Sequence, residues 1–135
     1  RDVRLDMHAG SMMGSMFRRF FGNSGSIMGI NGNSYDMGRI DAELRAGETE
    51  LWRISAPMMI HPFHVHGTSF QVVSRGGQRV EPATEGLKDV VVVDGRGVEI
   101  LVRMDQKADA ATPFMLHCHI LEHEDAGMMA QFTVA

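Results

Sequence analysis

LKDVVVVDGRGVEILVR, residues 87–103, decides the fold class. It holds two β-type runs, Lys88 to Val93 and Val98 to Arg103, separated by the turn residues Asp94-Gly95. Valine and isoleucine are stiff at χ1 and fit the pleated surface of a strand better than a helix, and Asp-Gly supplies the turn between two such runs. Working outward, the same pattern recurs on both sides. Leu51 to Ser55 and Ser69 to Ser74 come before, and Pro113 to Cys118 and Met129 to Val134 come after, with Gly76-Gly77 and Asp125 to Gly127 as further turns. At the start of the chain Val3, Leu5 and Met7 alternate with polar residues, and Asn31-Gly32 is another turn signal. Many short strands at fairly even spacing, with almost no helix, predict an all-β chain folded as an antiparallel sandwich or barrel.

One segment breaks the pattern. Residues 8–29 are rich in Gly and Ser, and Met12, Met13, Met16, Phe17, Phe20 and Phe21 recur there at helix-like offsets, with Arg18 and Arg19 on the other side. The expectation is an insertion carrying a short, Met-rich amphipathic helix. No internal repeat and no domain boundary is visible. A length of 135 residues suits a single domain with one core.

Composition excludes more than it suggests. At 44% hydrophobic and 22% charged, the chain reads as a folded domain, and it has no apolar run approaching the ~18 residues of a membrane helix. Thirteen basic residues against 17 acidic ones leave a net charge of -4, which gives no electrostatic reason to bind nucleic acid or anionic lipid. Because Arg1 is not an initiator and no signal segment is visible, the expectation is a chain that begins inside a longer protein.

Three counts stand out, namely one Cys, seven His and 12 Met. A lone Cys makes no internal disulfide, so it is a buried thiol or a chemically used one. Three His fall in His61-Pro62-Phe63-His64-Val65-His66, and three more in His117-Cys118-His119-Ile120-Leu121-Glu122-His123, which also holds the Cys. On an extended strand, successive side chains point to opposite faces. His64 and His66 then share one face with His61 on the other, and His117 and His119 share one face with Cys118 on the other. Two such strands side by side would build a His-only site on one face and a Cys/His site on the other. The latter would combine the Cys118 thiolate with the His61 and His123 imidazoles and, from the Gly-containing loop beyond, a weak Met128 thioether. That is the blue-copper donor set, used for one-electron transfer, whereas the His-only side suits copper that binds O₂.

Other readings explain less. A structural zinc site recruits paired Cys ligands. His119-Ile-Leu-Glu122-His123 matches the H-x-x-E-H of inverted zinc proteases, but that chemistry needs a helix where a strand-like run leads in, and it leaves His117 and Cys118 without a role. Satisfied core histidines explain any one of the six and not the set.

HPFHVHG at 61–67 and HCHILEHEDAGM at 117–128 resemble the two C-terminal copper motifs of multicopper oxidases. RDVRLDM, INGNSYDM and GETELWRI also sit where the third domain of that family places its first strand, a turn and a core strand, so the likeness spans essentially the whole chain. The overall pattern is most similar to bacterial three-domain enzymes of the laccase and cuprous oxidase kind. The resemblance implies a Greek-key β-sandwich or barrel of the cupredoxin type over residues 1–135, the C-terminal domain of a larger enzyme. It implies a type 1 copper on His61, Cys118, His123 and Met128, a type 2 copper on His64, and a type 3 pair on His66, His117 and His119. Electrons would pass from Cys118 through its backbone to His117 and His119 and reduce O₂ to water, and Glu124 matches an acid that delivers protons. Copper nitrite reductases, which place only one His beside the type 1 Cys, fit less well.

The family's oxygen-reducing centre takes twice as many His as this chain supplies. The remainder come from two H-x-H motifs in an N-terminal domain, and none lies here outside the windows already used. The expected partners are therefore O₂, a reducing substrate, and an N-terminal domain or chain that completes the centre, in a periplasmic or secreted protein. The alternative is a stand-alone electron-transfer or copper-binding module with a type 1 copper alone. For substrate, phenols and related one-electron donors are expected. Cu(I) is a further candidate because Met7, Met12, Met13, Met16, Met58 and Met59 could form a soft-donor region, although Pro57 stands where cuprous oxidases tend to carry a metal-binding acid.

Overall fold

The computed structural model describes residues 1–7 and 28–135. It contains the strands β1 (Asp2–Met7), β2 (Met28–Ile30), β3 (Ala42–Leu44), β4 (Thr49–Ser55), β5 (His61–Val65), β6 (Phe70–Arg75) and β7 (Gln78–Arg79). A short helix α1 (Pro82–Glu85) precedes β8 (Leu87–Lys88), β9 (Val90–Val93), β10 (Val98–Arg103) and β11 (Phe114–Cys118), and helix α2 (Leu121–Asp125) leads into β12 (Met129–Val134). One sheet has the order β2-β1-β4-β10-β6-β7, with β8 also paired to β6, and the other has the order β3-β12-β11-β5-β9. The all-β expectation holds, with one difference in pairing: β1 runs parallel to β4, and β3 runs parallel to β12. Parallel neighbours need long connections, and both pairs have them.

The stretch 87–103 forms a corner between the sheets. β8 pairs with β6 in the first sheet, β9 pairs with β5 in the second, and β10 returns to the first between β4 and β6. The chain changes sheet at Asp89, which belongs to neither strand. Arg75 sews this corner together. Its guanidinium donates to both carboxylate oxygens of Glu85 on α1, at 2.9 and 3.2 Å, and to the Val92 carbonyl at 3.3 Å.

The sheets close on a core that includes Leu5, Trp52, Ile54, Phe63, Phe70 and Phe132, all buried to 1% exposure or less. Trp52 meets Phe132 edge to face across the two sheets, with centroids 6.2 Å apart. Burying side chains of this size contributes roughly 1.5–3 kcal/mol each. The helix expected around Met12 to Phe21 lies outside the described residues. Met28 and Gly29, assigned to the insertion by composition, are ladder residues of β2, where Met28 faces Met7.

Candidate metal centres

β5 lies between β11 and β9, so the two histidine windows meet on adjacent strands. The register sets His117 against His64, Cys118 against Phe63 and Leu116 against Val65. Parity then sorts the side chains. His61, Phe63, Val65, Leu116 and Cys118 are buried on the core side, and His64 is only half-buried on the opposite face, beside its cross-strand neighbour His117. Pro62 does not interrupt the strand: it pairs with Val92, and its carbonyl accepts from the His119 N–H at 2.7 Å.

On the core side, three donor atoms converge. The Cys118 sulfur is 3.5 Å from His61 Nδ1 and 3.5 Å from His123 Nδ1, and the two nitrogens are 3.1 Å apart. A point equidistant from the three lies about 2.0 Å from each, the bonding distance of a metal to imidazole nitrogen. His61 Nε2–H donates to the Met58 carbonyl at 2.8 Å, which leaves the Nδ1 lone pair facing the cluster. His123 comes from α2, a helix not foreseen beyond the strand-like run Pro113 to Cys118. Met128 is fully buried, its N–H bonded to the His123 carbonyl at 2.9 Å and its carbonyl accepting from the Cys118 N–H at 3.1 Å. Burial holds the His61 imidazole below its ordinary pKa, against the hydrogen bond to Met58, which raises it, and burial pushes the Cys118 thiol up. A neutral imidazole is ready to bind metal, whereas the thiol must give up a proton when metal arrives.

On the opposite face, His64, His66 and His117 bring ring nitrogens within 4.8 Å of one another. His66 Nε2 and His117 Nε2 are 3.1 Å apart. His64 Nδ1–H donates to the Asp89 carbonyl at 2.7 Å, leaving Nε2 free, and the same carbonyl accepts from Val65 N–H at 3.2 Å. His117 Nδ1–H has two acceptors, the Cys118 carbonyl at 2.9 Å and Glu124 Oε2 at 3.2 Å. Glu124 therefore reaches the His-only face, although it adjoins His123 in sequence. His119 sits at the exposed rim, its ring centroid 5.6 Å from that of His64 and 5.5 Å from that of His117. Burial, then the neighbouring His117 and His64, lowers the pKa of His66. His64, His66, Gly67, Thr68, Asp89 and Phe114 line an open pocket of about 380 Å³ over this face.

Both donor sets suit copper. One thiolate with two imidazoles, next to a buried Met128 whose backbone is bonded to both His123 and Cys118, is a soft, low-coordinate set, and a cluster of imidazoles serves copper in either oxidation state. The separation of His119 from His123 also disposes of the H-x-x-E-H reading, since the two rings belong to different clusters. Three acceptors that orient the donors, the carbonyls of Met58, Asp89 and Cys118, were not foreseen. A backbone carbonyl carries no residue identity, so nothing in the sequence marks it.

The comparisons agree with this geometry. A multicopper oxidase family model matches residues 2–135. The chain is 40% identical over 111 residues to a multicopper oxidase of Staphylococcus haemolyticus, a match covering 78% of this chain and 24% of that protein. It is 37% identical over 123 residues to the cell division protein FtsP of Escherichia coli, covering 91% of this chain and 26% of that one. Among solved structures, a laccase-like multicopper oxidase of Ochrobactrum sp. superposes with a TM-score of 0.86 at 42% identity, over 100% of this chain and 30% of its own. The chain thus spans about a quarter of the length of the curated relatives. With a cupredoxin-like sandwich, two donor sets fitted to copper and a family match over nearly its whole length, the chain belongs to the copper-dependent multicopper oxidases.

Proposed function

We propose that this chain forms the C-terminal domain of a laccase-like multicopper oxidase, supplying the electron-accepting site and half of the oxygen-reducing site. The observation that carries the reading is the back-to-back placement of the two donor sets on one strand pair. Relatives described as oxidases and as a cell division protein both match, so family membership alone does not choose an activity. The eight donor residues and the acid Glu124 favour the oxidase.

His61, Cys118 and His123, with Met128, would hold the type 1 copper; His64 would hold type 2, and His66, His117 and His119 would hold type 3. Copper in these places would supply one-electron redox chemistry on the Cys118 side and oxygen binding on the histidine side. The protein's own contribution is positional. The sealed core excludes water from Cys118, and Met58 fixes His61 through Nε2–H. Cys118 is joined to His117 covalently and through the Nδ1–H bond to its own carbonyl, a short link between the two sets. Glu124 holds Oε2 against His117 while its side chain stays 27% exposed, which suits it to carry a proton between solvent and this face.

The histidine face is open and half complete, which fits an N-terminal domain docking there with further imidazoles, in a periplasmic or secreted enzyme. Phenols are the proposed donors. The decisive experiment is metal analysis with optical and EPR spectra and O₂ uptake on the full-length parent. All three copper types with O₂ consumption are expected, whereas a lone type 1 signal without O₂ uptake selects the electron-transfer module. If Met-to-Ser changes at 12, 13 and 16 abolish Cu(I) oxidation and spare phenol oxidation, Cu(I) replaces phenols as the substrate.

A further inference from the structure

Gln131 lies in β12, three residues beyond Met128, next to the core residue Phe132. By strand parity it should face solvent, yet it is only 4% exposed. The cover is the segment 35–41. Gln131 Nε2 donates to the Met37 carbonyl at 2.9 Å and the Arg39 carbonyl at 2.8 Å, and its Oε1 accepts from the Tyr35 hydroxyl at 3.4 Å. Its backbone joins in, the carbonyl accepting from Asp41 N–H at 2.8 Å and the N–H donating to Asp41 Oδ2 at 3.1 Å. Every polar group of Gln131 is therefore bonded to this one segment.

The segment passes that order to the Met128 turn. Gly127, at φ 104, takes a conformation that suits glycine, and its N–H donates to the Glu124 carbonyl at 2.9 Å. Met128 bonds back to His123 and Cys118, so those ties stay within the donor residues themselves. The Gly127 carbonyl is different: it accepts from Tyr35 N–H at 3.0 Å, an anchor from outside the donor segment.

We propose that Gln131, acting with Tyr35, is a positioning residue for Met128. Resting on the copper reading above, the proposal makes this clamp the determinant of how closely the Met128 thioether would approach the metal. A thioether bond to such a site is weak and long, so the protein more than the metal sets its length, and the redox potential follows it.

The test compares the copper-loaded full-length protein with its Gln131→Met variant, which keeps length and volume and removes all three side-chain bonds. The potential should rise toward that of Met128→Leu, with a changed ratio of the optical bands. The double variant Gln131→Met/Met128→Leu should match Met128→Leu alone, because the clamp acts through Met128. An unshifted potential, or effects that add in the double variant, overturns the proposal. Should Gln131→Met fail to fold, Tyr35→Phe replaces it under the same criteria, with a smaller shift expected because its N–H bond to Gly127 remains. A second arm uses copper-free protein: amide exchange at Met128 and Cys118 should quicken several-fold relative to the rest of β11, and unchanged exchange overturns the clamp. Absence of a blue band in the unsubstituted protein would instead refute the copper reading, and the exchange arm then decides the clamp by itself.

Discussion

The two donor sets share a strand pair and differ in almost everything else. His61, Cys118 and Met128 are sealed in the core, whereas His64 and His66 are half-buried and His119 is exposed at the rim of an open pocket. The cause is the two-residue period of a strand: one step along β11, from His117 to Cys118, crosses from one face of the sheet to the other. The donors of the sealed set all lie within this chain: helix α2 brings His123 Nδ1 to the Cys118 sulfur, and the turn after it ties the Met128 carbonyl to the Cys118 N–H. On the proposed reading, the open set is completed by another surface. A single sheet thus carries a sealed donor set and an open one a few bonds apart, and the experiments below ask whether the two behave as differently as they look.

The largest expected effect comes from Cys118→Ser. It should abolish the intense blue absorption and all substrate oxidation, and spare the fold. A buried hydroxyl in place of the thiol costs about 1–3 kcal/mol, which circular dichroism and thermal melts would register as a modest loss. Retention of the blue band would break the assignment of the sealed set.

Next in size is the difference in metal retention. A chelator titrated into the copper-loaded full-length protein should strip the histidine face first and the Cys118 side last, because the Cys118 donors are buried in the core of this chain. Copper at 1,000 times its dissociation constant stabilises a fold by about 4 kcal/mol, so the melting temperature should fall mainly as the blue band disappears. Loss of the blue band ahead of the other coppers would reverse the comparison.

Gly67→Ala should act on the open side alone. Gly67 follows His66 at φ +79, and an added Cβ would lie 2.6 to 2.9 Å from ring atoms of Phe114. The ring or the backbone must move, at about 1–3 kcal/mol, and His66 moves with it. Shifts of this kind in the support of a ligand lower metal affinity about 10- to 100-fold. Competition titrations should show that weakening at the histidine face with the blue band intact, and the reverse pattern would refute the separation of the two sets.

How much of this the sequence disclosed depends on whether side chains or backbone carry the information. Parity along 61–66 and 117–119 was enough to place His61 with Cys118 and His64 with His117, because strand geometry is the same in every protein. The change of sheet at Asp89 was not legible, since Lys88 to Val93 reads as one strand and both halves do pair as strands, with different partners. Helix α2 is only five residues long, too short for a periodic signal, and it follows directly on a β-type run. Gln131 falls at an outward position of β12 by parity, and what buries it is a segment some 90 residues earlier in the chain. Long-range cover of that kind leaves no mark on the local pattern.

The smallest effect is the most selective. Met128→Leu replaces a thioether with a branched alkyl group of similar volume, a change that costs less than about 1.5 kcal/mol in a packed core. Cys118, His61 and His123 stay in place because their contacts with one another do not pass through the Met128 side chain. The blue band should therefore persist. What is lost is a weak donor that favours the oxidised over the reduced metal, so the potential should rise in redox titrations while the open set keeps its coppers. An unchanged potential would mean that Met128 is only core packing and that the sealed set lacks the thioether donor.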